Sequence, residues 1–222
     1  MAAFRTHVTV GLAVGYVVSA AAVITQWISL PLTPLLMFFV SFIGSFSPDL
    51  DSDSGTSFDI VFTLFAFTGG GVAFYYGLQQ TRLPWTYWLI FPPAVVVFIR
   101  YGVGNIFQKF TTHRGIFHSI PATLIAMFST PMLLQAFPLP VNDVAAIAFS
   151  IGAGFLSHLV LDEIYATVNF EGLKFKPKKS LGSALAFTKS SKTITMIAYV
   201  ILVALIVYNL PLLSELLSFI RR

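Results

Sequence analysis

Val144 to Ile164 reads VAAIAFSIGAGFLSHLVLDEI, apolar or small until His158 and closed by Asp162 and Glu163. A helix of these 21 residues rises about 32 Å, enough to cross a hydrocarbon core of about 30 Å. Lipid offers no partner to backbone N–H and C=O groups, so such a run is stable there only as a helix. Six further apolar runs accompany it: Val8–Ile28, Pro31–Ser47, Phe58–Leu78, Trp85–Val103, His118–Phe137 and Thr193–Ile220. The expected fold is therefore all-α, a polytopic transmembrane helical bundle of about seven spans, with residues 1–222 as a single transmembrane domain.

Composition agrees with this reading. The 222 residues are 56% hydrophobic and 10% charged, and mean hydropathy is +0.83, whereas a soluble domain carries roughly 25% charge. The first run exceeds the roughly 7 to 15 apolar residues of a secretory signal core and reads as a retained span. Pro31 and Pro34 suit the opening of the second run, because proline is tolerated in a first helical turn. Gly69, Gly70 and Gly71 read as packing glycines of the third, and Trp85, Tyr87 and Trp88 form an interfacial aromatic cluster at the fourth. Pro211 separates the last span from an amphipathic end.

With the amino terminus inside, seven spans put Arg5, Arg100, Lys109, Arg114, Lys174, Lys176, Lys178, Lys179, Lys189 and Lys192 on the cytoplasmic side. Only Arg82, Arg221 and Arg222 fall outside. This asymmetry follows the positive-inside rule. The net charge of +4 is thus accounted for by loops facing a cytoplasm and an anionic leaflet, and no nucleic acid is expected as a partner. The bilayer is the partner that composition requires, and oligomeric state is not encoded in any pattern found.

All four histidines fall on that same inner side, with three aspartates of one loop. His158 and Asp162 are spaced i,i+4 and project from one helix face. Such a pair either satisfies two polar groups within an apolar helix or offers two ligands to one cation. Ionisable groups this close to lipid are costly, which favours function. Thr112-His113-Arg114-Gly115-Ile116-Phe117-His118-Ser119 needs a bend if both histidines are to face one site, and Gly115 permits one. Arg114 has the planar fork that binds oxyanions bidentately, or serves as an interfacial arginine.

Ser47-Pro48-Asp49-Leu50-Asp51-Ser52-Asp53-Ser54-Gly55 lacks the glycine and glutamate of a helix-loop-helix calcium site. It does offer an oxygen-rich edge suited to Mg, Mn or Zn. Asp53 reads as a solvated loop charge. His7 is drawn in by sidedness alone. Asp59, Asp143 and Glu215 have no evident partners, and Glu163 turns to another helix face. The absence of cysteine leaves histidine, carboxylate, carbonyl or water to hold any metal. No zincin signature, phosphate loop, nucleophile elbow or dinucleotide fingerprint occurs.

Taken in order, His7, Pro48-Asp49-Leu50-Asp51, His113-Arg114-Gly115 with His118-Ser119, and His158 with Asp162 resemble the YdjM family of inner-membrane-associated, metal-dependent hydrolases. The resemblance spans nearly the whole chain. The set is also similar, more loosely, to the zinc-dependent phospholipase C and single-strand nuclease superfamily, whose zinc ions are held by His and Asp, including an His-x-x-x-Asp pair on a helix. The resemblance implies His7, Asp49, His113, His118, His158 and Asp162 as ligands of a divalent metal, zinc first, with Mn or Mg as alternatives. The further histidines and terminal amine of the soluble relatives have no counterpart, which leaves the number of ions open.

The expected function is hydrolysis of a phosphoester in a membrane lipid or lipid-linked phosphate, on the cytoplasmic side of a bacterial or archaeal inner membrane. Asp51 orients the attacking water or completes the shell, and Arg114 balances charge on the phosphoryl oxygens. The rival expectation is an ion- or proton-coupled transporter using the same cluster. Such proteins bury polar groups near mid-span and repeat their halves, patterns not found here.

Overall fold

The computed structural model describes residues 3–51, 56–79, 84–110, 115–135, 137–169, 174–175, 182–188 and 191–221. The helices are α1 (Phe4–Ile24), α2 (Thr33–Gly44), α3 (Thr56–Leu78), α4 (Trp85–Val97), α5 (Gly104–Phe110), α6 (Ile120–Leu134), α7 (Val141–Thr167), α8 (Lys192–Tyr208) and α9 (Leu210–Ile220). A single 3-10 turn, Ser47–Asp51, follows α2, and a π-helical turn, Phe98–Val103, joins α4 to α5. The strands among the described residues are β1 (Val168–Asn169) and β2 (Lys174–Phe175), paired antiparallel.

Among the described residues, four helical stretches are long and apolar enough to cross a membrane: Phe4–Ile24, Phe58–Leu78, Trp85–Gln108 and Val141–Thr167. The α8–α9 pair, bent by 54°, makes a fifth if taken as one span. Length alone therefore supports four or five spans rather than the expected seven. The other two runs are helical but hold 12 and 15 residues, which rise only about 18 and 22 Å. Local chemistry trims both. Pro34 lies in the first turn of α2 and the chain leaves α2 at Ser45. The side chain of Ser119 caps α6 by accepting from the Ala122 N–H at 3.3 Å, so that helix starts at Ile120 rather than His118.

The chain divides into two compact units, Met1–Pro48 with Ile116–Arg222, and Asp49–Gly115. In the first, α1 buries His7, Gly11, Gly15, Ser19 and Ala22, one stripe at near-fourfold spacing. Gly11 faces Ser45, Gly15 faces Phe38 and Ser41, and the Ser19 hydroxyl donates to the Pro34 carbonyl at 3.0 Å, so α1 and α2 are antiparallel. A methyl group on Gly154 would lie 2.0 Å from the Ser41 carbonyl oxygen, and one on Gly44 would lie 2.4 Å from that of Ile151. Both contacts are backbone against backbone. Absent Cβ atoms thus allow α2 and α7 to touch along their main chains, the usual basis of helix association where water exerts no hydrophobic drive.

The end of this unit that holds the start of α7 is closed by Asp143, which is fully buried. Its carboxylate accepts from the Ser29 and Leu30 N–H groups at 2.9 and 3.0 Å and from the Thr33 hydroxyl. Asn142 beside it donates to the Trp27 carbonyl at 2.6 Å. These bonds fix the α1–α2 connection onto α7 and supply the partners for Asp143 that sequence did not reveal.

In the second unit α3 packs on α4. Gly69 and Gly70 face Ile99 and Val96, while Gly71 has open space around it, so the packing role applies to two of the three. Asp59, also lacking an evident partner in sequence, is paired with the Arg100 guanidinium, which lies 5.4 Å from the centroid of the Phe58 ring.

Gly154→Ala should lower stability by about 1–3 kcal/mol through overpacking. Gly71→Ala, whose methyl group meets nothing, should leave it unchanged. Thermal unfolding of the purified protein in detergent checks both.

Candidate metal centre

His7 occupies the second turn of α1 and lies on the same stripe as Gly11 and Gly15, so the surface that packs α1 also carries its imidazole inward. His118 precedes the Ser119 cap of α6. His158 and Asp162 share one face of α7 a turn apart. Three elements of the first unit therefore deliver four ionisable side chains to one end of the bundle, all between 0% and 6% exposed.

There the Nε2 atoms converge on one carboxylate. His7 Nε2 is 3.4 Å from Asp162 Oδ1, and His158 Nε2 and His118 Nε2 are 3.9 and 4.0 Å from Asp162 Oδ2. The His7 and His158 rings stack, with centroids 3.6 Å apart and planes 12° apart, and His118 meets His158 edge-on at 5.5 Å. Donor atoms of His7, His158 and Asp162 all lie within 4.8 Å of one another. These nitrogen–oxygen separations exceed ordinary hydrogen bonds. They resemble the spacing of ligands around a shared ion, since two donors about 2.1 Å from a tetrahedral centre lie about 3.4 Å apart.

The tautomer of His158 follows from its other nitrogen. Nδ1 is 2.8 Å from the Ser45 carbonyl oxygen, which can only accept. Nδ1 therefore donates its proton to that carbonyl, and Nε2 is the ring nitrogen on the Asp162 side. A ring nitrogen held by a backbone carbonyl is the usual orienting contact behind a metal-ligating histidine. His7 Nδ1 is buried with no hydrogen-bond partner among the described residues, a costly state for a polar atom in an apolar bundle. Three imidazoles and a carboxylate without cysteine suit zinc and also admit other divalent ions.

Of the residues singled out in sequence, the structure brings together His7, His118, His158 and Asp162. Asp49 lies in the 3-10 turn Ser47–Asp51. His113, Arg114, Asp53 and the Asp51 side chain lie outside the described residues.

Sequence reasoning missed two contributors. Ser45 acts through its main chain, which no side-chain pattern records. Glu163 does turn to another face of α7, but its carboxylate accepts from the N–H groups of Gly182, Ala184 and Leu185 at 2.8, 2.7 and 3.3 Å. It thereby fixes a segment whose Ala186 carbonyl accepts from the Ile120 N–H at 3.1 Å, directly after His118-Ser119. The signal available was only its position beside Asp162.

Apolar helices of spanning length, packed through small residues and enclosing ionisable side chains at one end, define a helical integral membrane protein. The family described as YdjM inner membrane protein matches residues 1–217, and the chain belongs to that family. Comparison with curated proteins and with solved structures gave no match.

Zinc titration of the purified protein should show binding that His158→Ala and Asp162→Ala each weaken at least tenfold, the scale of losing a ligand or its support. Glu163→Ala should speed amide hydrogen exchange at Gly182, Ala184 and Leu185 more than tenfold, read by mass spectrometry.

Proposed function

We propose that the protein is a membrane-bound, metal-dependent hydrolase that cleaves a phosphoester of a lipid or lipid-linked substrate at the cytoplasmic membrane face. The observation that carries this reading is the convergence of three buried imidazoles on the Asp162 carboxylate, with His158 oriented by the Ser45 carbonyl. In this reading Nε2 of His7, His118 and His158, together with Asp162, hold a divalent ion, with zinc as first choice and Mn or Mg as alternatives. Asp49 and His113 join them on the strength of the family resemblance. When bound, the ion would supply Lewis acidity toward a phosphoryl oxygen and would lower the pKa of a coordinated water toward about 7.

The remaining steps belong to the chain. The Ser45 carbonyl keeps the His158 lone pair directed at the site. Asp162 neutralises positive charge that the apolar surroundings would otherwise disfavour. Asp51 orients the attacking water or completes the shell, and the Arg114 guanidinium binds the phosphoryl oxygens and balances the charge that develops there.

The cytoplasmic placement rests on the distribution of lysine and arginine. The seven-crossing topology belongs to the same proposal. Within the first unit, contacts make α1 antiparallel to α2, α2 parallel to α7, and α6 antiparallel to α7. These directions among α1, α2, α6 and α7 are compatible with seven crossings, with local bilayer thinning accommodating the shorter helices. A cluster gathered at helix ends also suits a surface reaction better than a relay through the bilayer.

Reconstituted protein should release phosphate or a phosphorylated headgroup from phosphatidic acid, other phospholipids or polyprenyl phosphate, and a chelator should abolish the release. Arg114→Ala should reduce kcat by about 10²–10³ while zinc content stays at the wild-type level. Protein with stoichiometric metal that leaves every one of these substrates intact would overturn the reading.

A further inference from the structure

A second feature of the first unit lies away from the imidazoles. A cavity of about 540 Å³ is lined by Val18, Met127, Phe149, Leu213 and Leu216 among other apolar side chains from α1, α2, α6, α7 and α9. Phe149 precedes His158 by nine residues on α7, which places that wall about 14 Å from the cluster along the helix axis. On α9 the lining residues Leu212, Leu213 and Leu216 share one face, while Ser214, Glu215 and Ser218 are exposed.

Beside the Trp27 indole, two polar residues line the cavity, Thr25 and Asn209, and both direct their donors to the main chain. The Thr25 hydroxyl donates to the Ala21 carbonyl at 2.8 Å. The Asn209 amide donates to the Phe128 and Leu205 carbonyls at 2.9 and 2.7 Å. A stable internal water needs two to four polar partners, which this wall does not supply. An empty space of this size would instead forfeit the dispersion contacts of every side chain around it. The walls belong to two spanning helices, α1 and α7, so the matter available at that depth is lipid hydrocarbon. Met37 and Met127 are unbranched, polarizable side chains that adapt to an irregular guest.

We infer that this cavity seats one acyl chain of a phospholipid from the surrounding bilayer, separately from the imidazole cluster and whether or not that cluster holds a metal. The probe is phosphatidylcholine with a diazirine at mid-chain, included in phosphatidylcholine vesicles that carry the protein, irradiated and mapped by mass spectrometry. Adducts should concentrate on Met127, Phe128 and Leu213 at least fivefold over the lipid-facing residues Val200, Ile201 and Val203 of α8. Ala145→Phe and Ala21→Phe, which place bulk into the space, should each lower labelling of Leu213 at least fivefold, whereas Ile201→Phe should not.

Chelator treatment of the wild type should leave the pattern unchanged, which separates this inference from the fate of the metal proposal. Adducts spread evenly over α8 and the cavity wall, or Leu213 labelling in both filled variants at the wild-type level, would overturn it. Should neither filled variant fold, the wild-type adduct distribution decides alone.

Discussion

The contact between the main chains of α2 and α7 governs the arrangement of this protein's first unit. Gly44 and Gly154 meet opposing backbone at distances that no Cβ could share. Because that approach is so close, the Ser45 carbonyl at the end of α2 reaches His158 Nδ1. Gly11 lets α1 in beside Ser45, and His7, one turn earlier on the same stripe, is carried onto the His158 ring. Lipid tails are as apolar as leucine, so association here depends on packing and hydrogen bonding rather than on exclusion of water. The seam that assembles the helices is also the seam that orients the imidazoles.

The two ends of this unit treat a buried carboxylate in opposite ways. Asp143 is surrounded by donors, two backbone N–H groups and a hydroxyl, with the further support of Asn142 on the adjoining loop. Such a carboxylate is an anchor, since its charge is fully engaged by the chain. Asp162 gathers three Nε2 atoms at 3.4 to 4.0 Å, and the Ser45 carbonyl orients one of those rings, His158. The convergence of three imidazoles on Asp162, at the opposite end of the unit from Asp143, underlies the metal-centre proposal.

Much of this was legible in the residues themselves. Seven apolar runs appear as helices, His158 and Asp162 share a helix face as their spacing requires, and α6 opens at Ile120, two residues after the expected start of its run at His118. The number of spans was less legible, because hydropathy registers apolar length while caps set helical length, as Ser119 and Pro34 do. His7 was identified only by sidedness, although its phase with Gly11, Gly15 and Ser19 carried the same information. Ser45 could not have been found from its side chain, because it acts through its carbonyl. Asp143 and Glu163 bind backbone N–H groups, which every residue except proline presents.

Sequence by itself determined that this chain is helical and embedded in lipid, and that His158 and Asp162 occupy one face. Those properties depend on composition and on separations of a turn or two, which the helix repeat converts into geometry. Tertiary structure alone decided that His7 and His118 join them and which nitrogen of His158 carries its proton. Those outcomes arise from contacts between residues forty to more than a hundred positions apart, such as His118 with His158 and Ser45 with His158, and they depend on how closely two backbones approach, a distance that no one-dimensional pattern encodes.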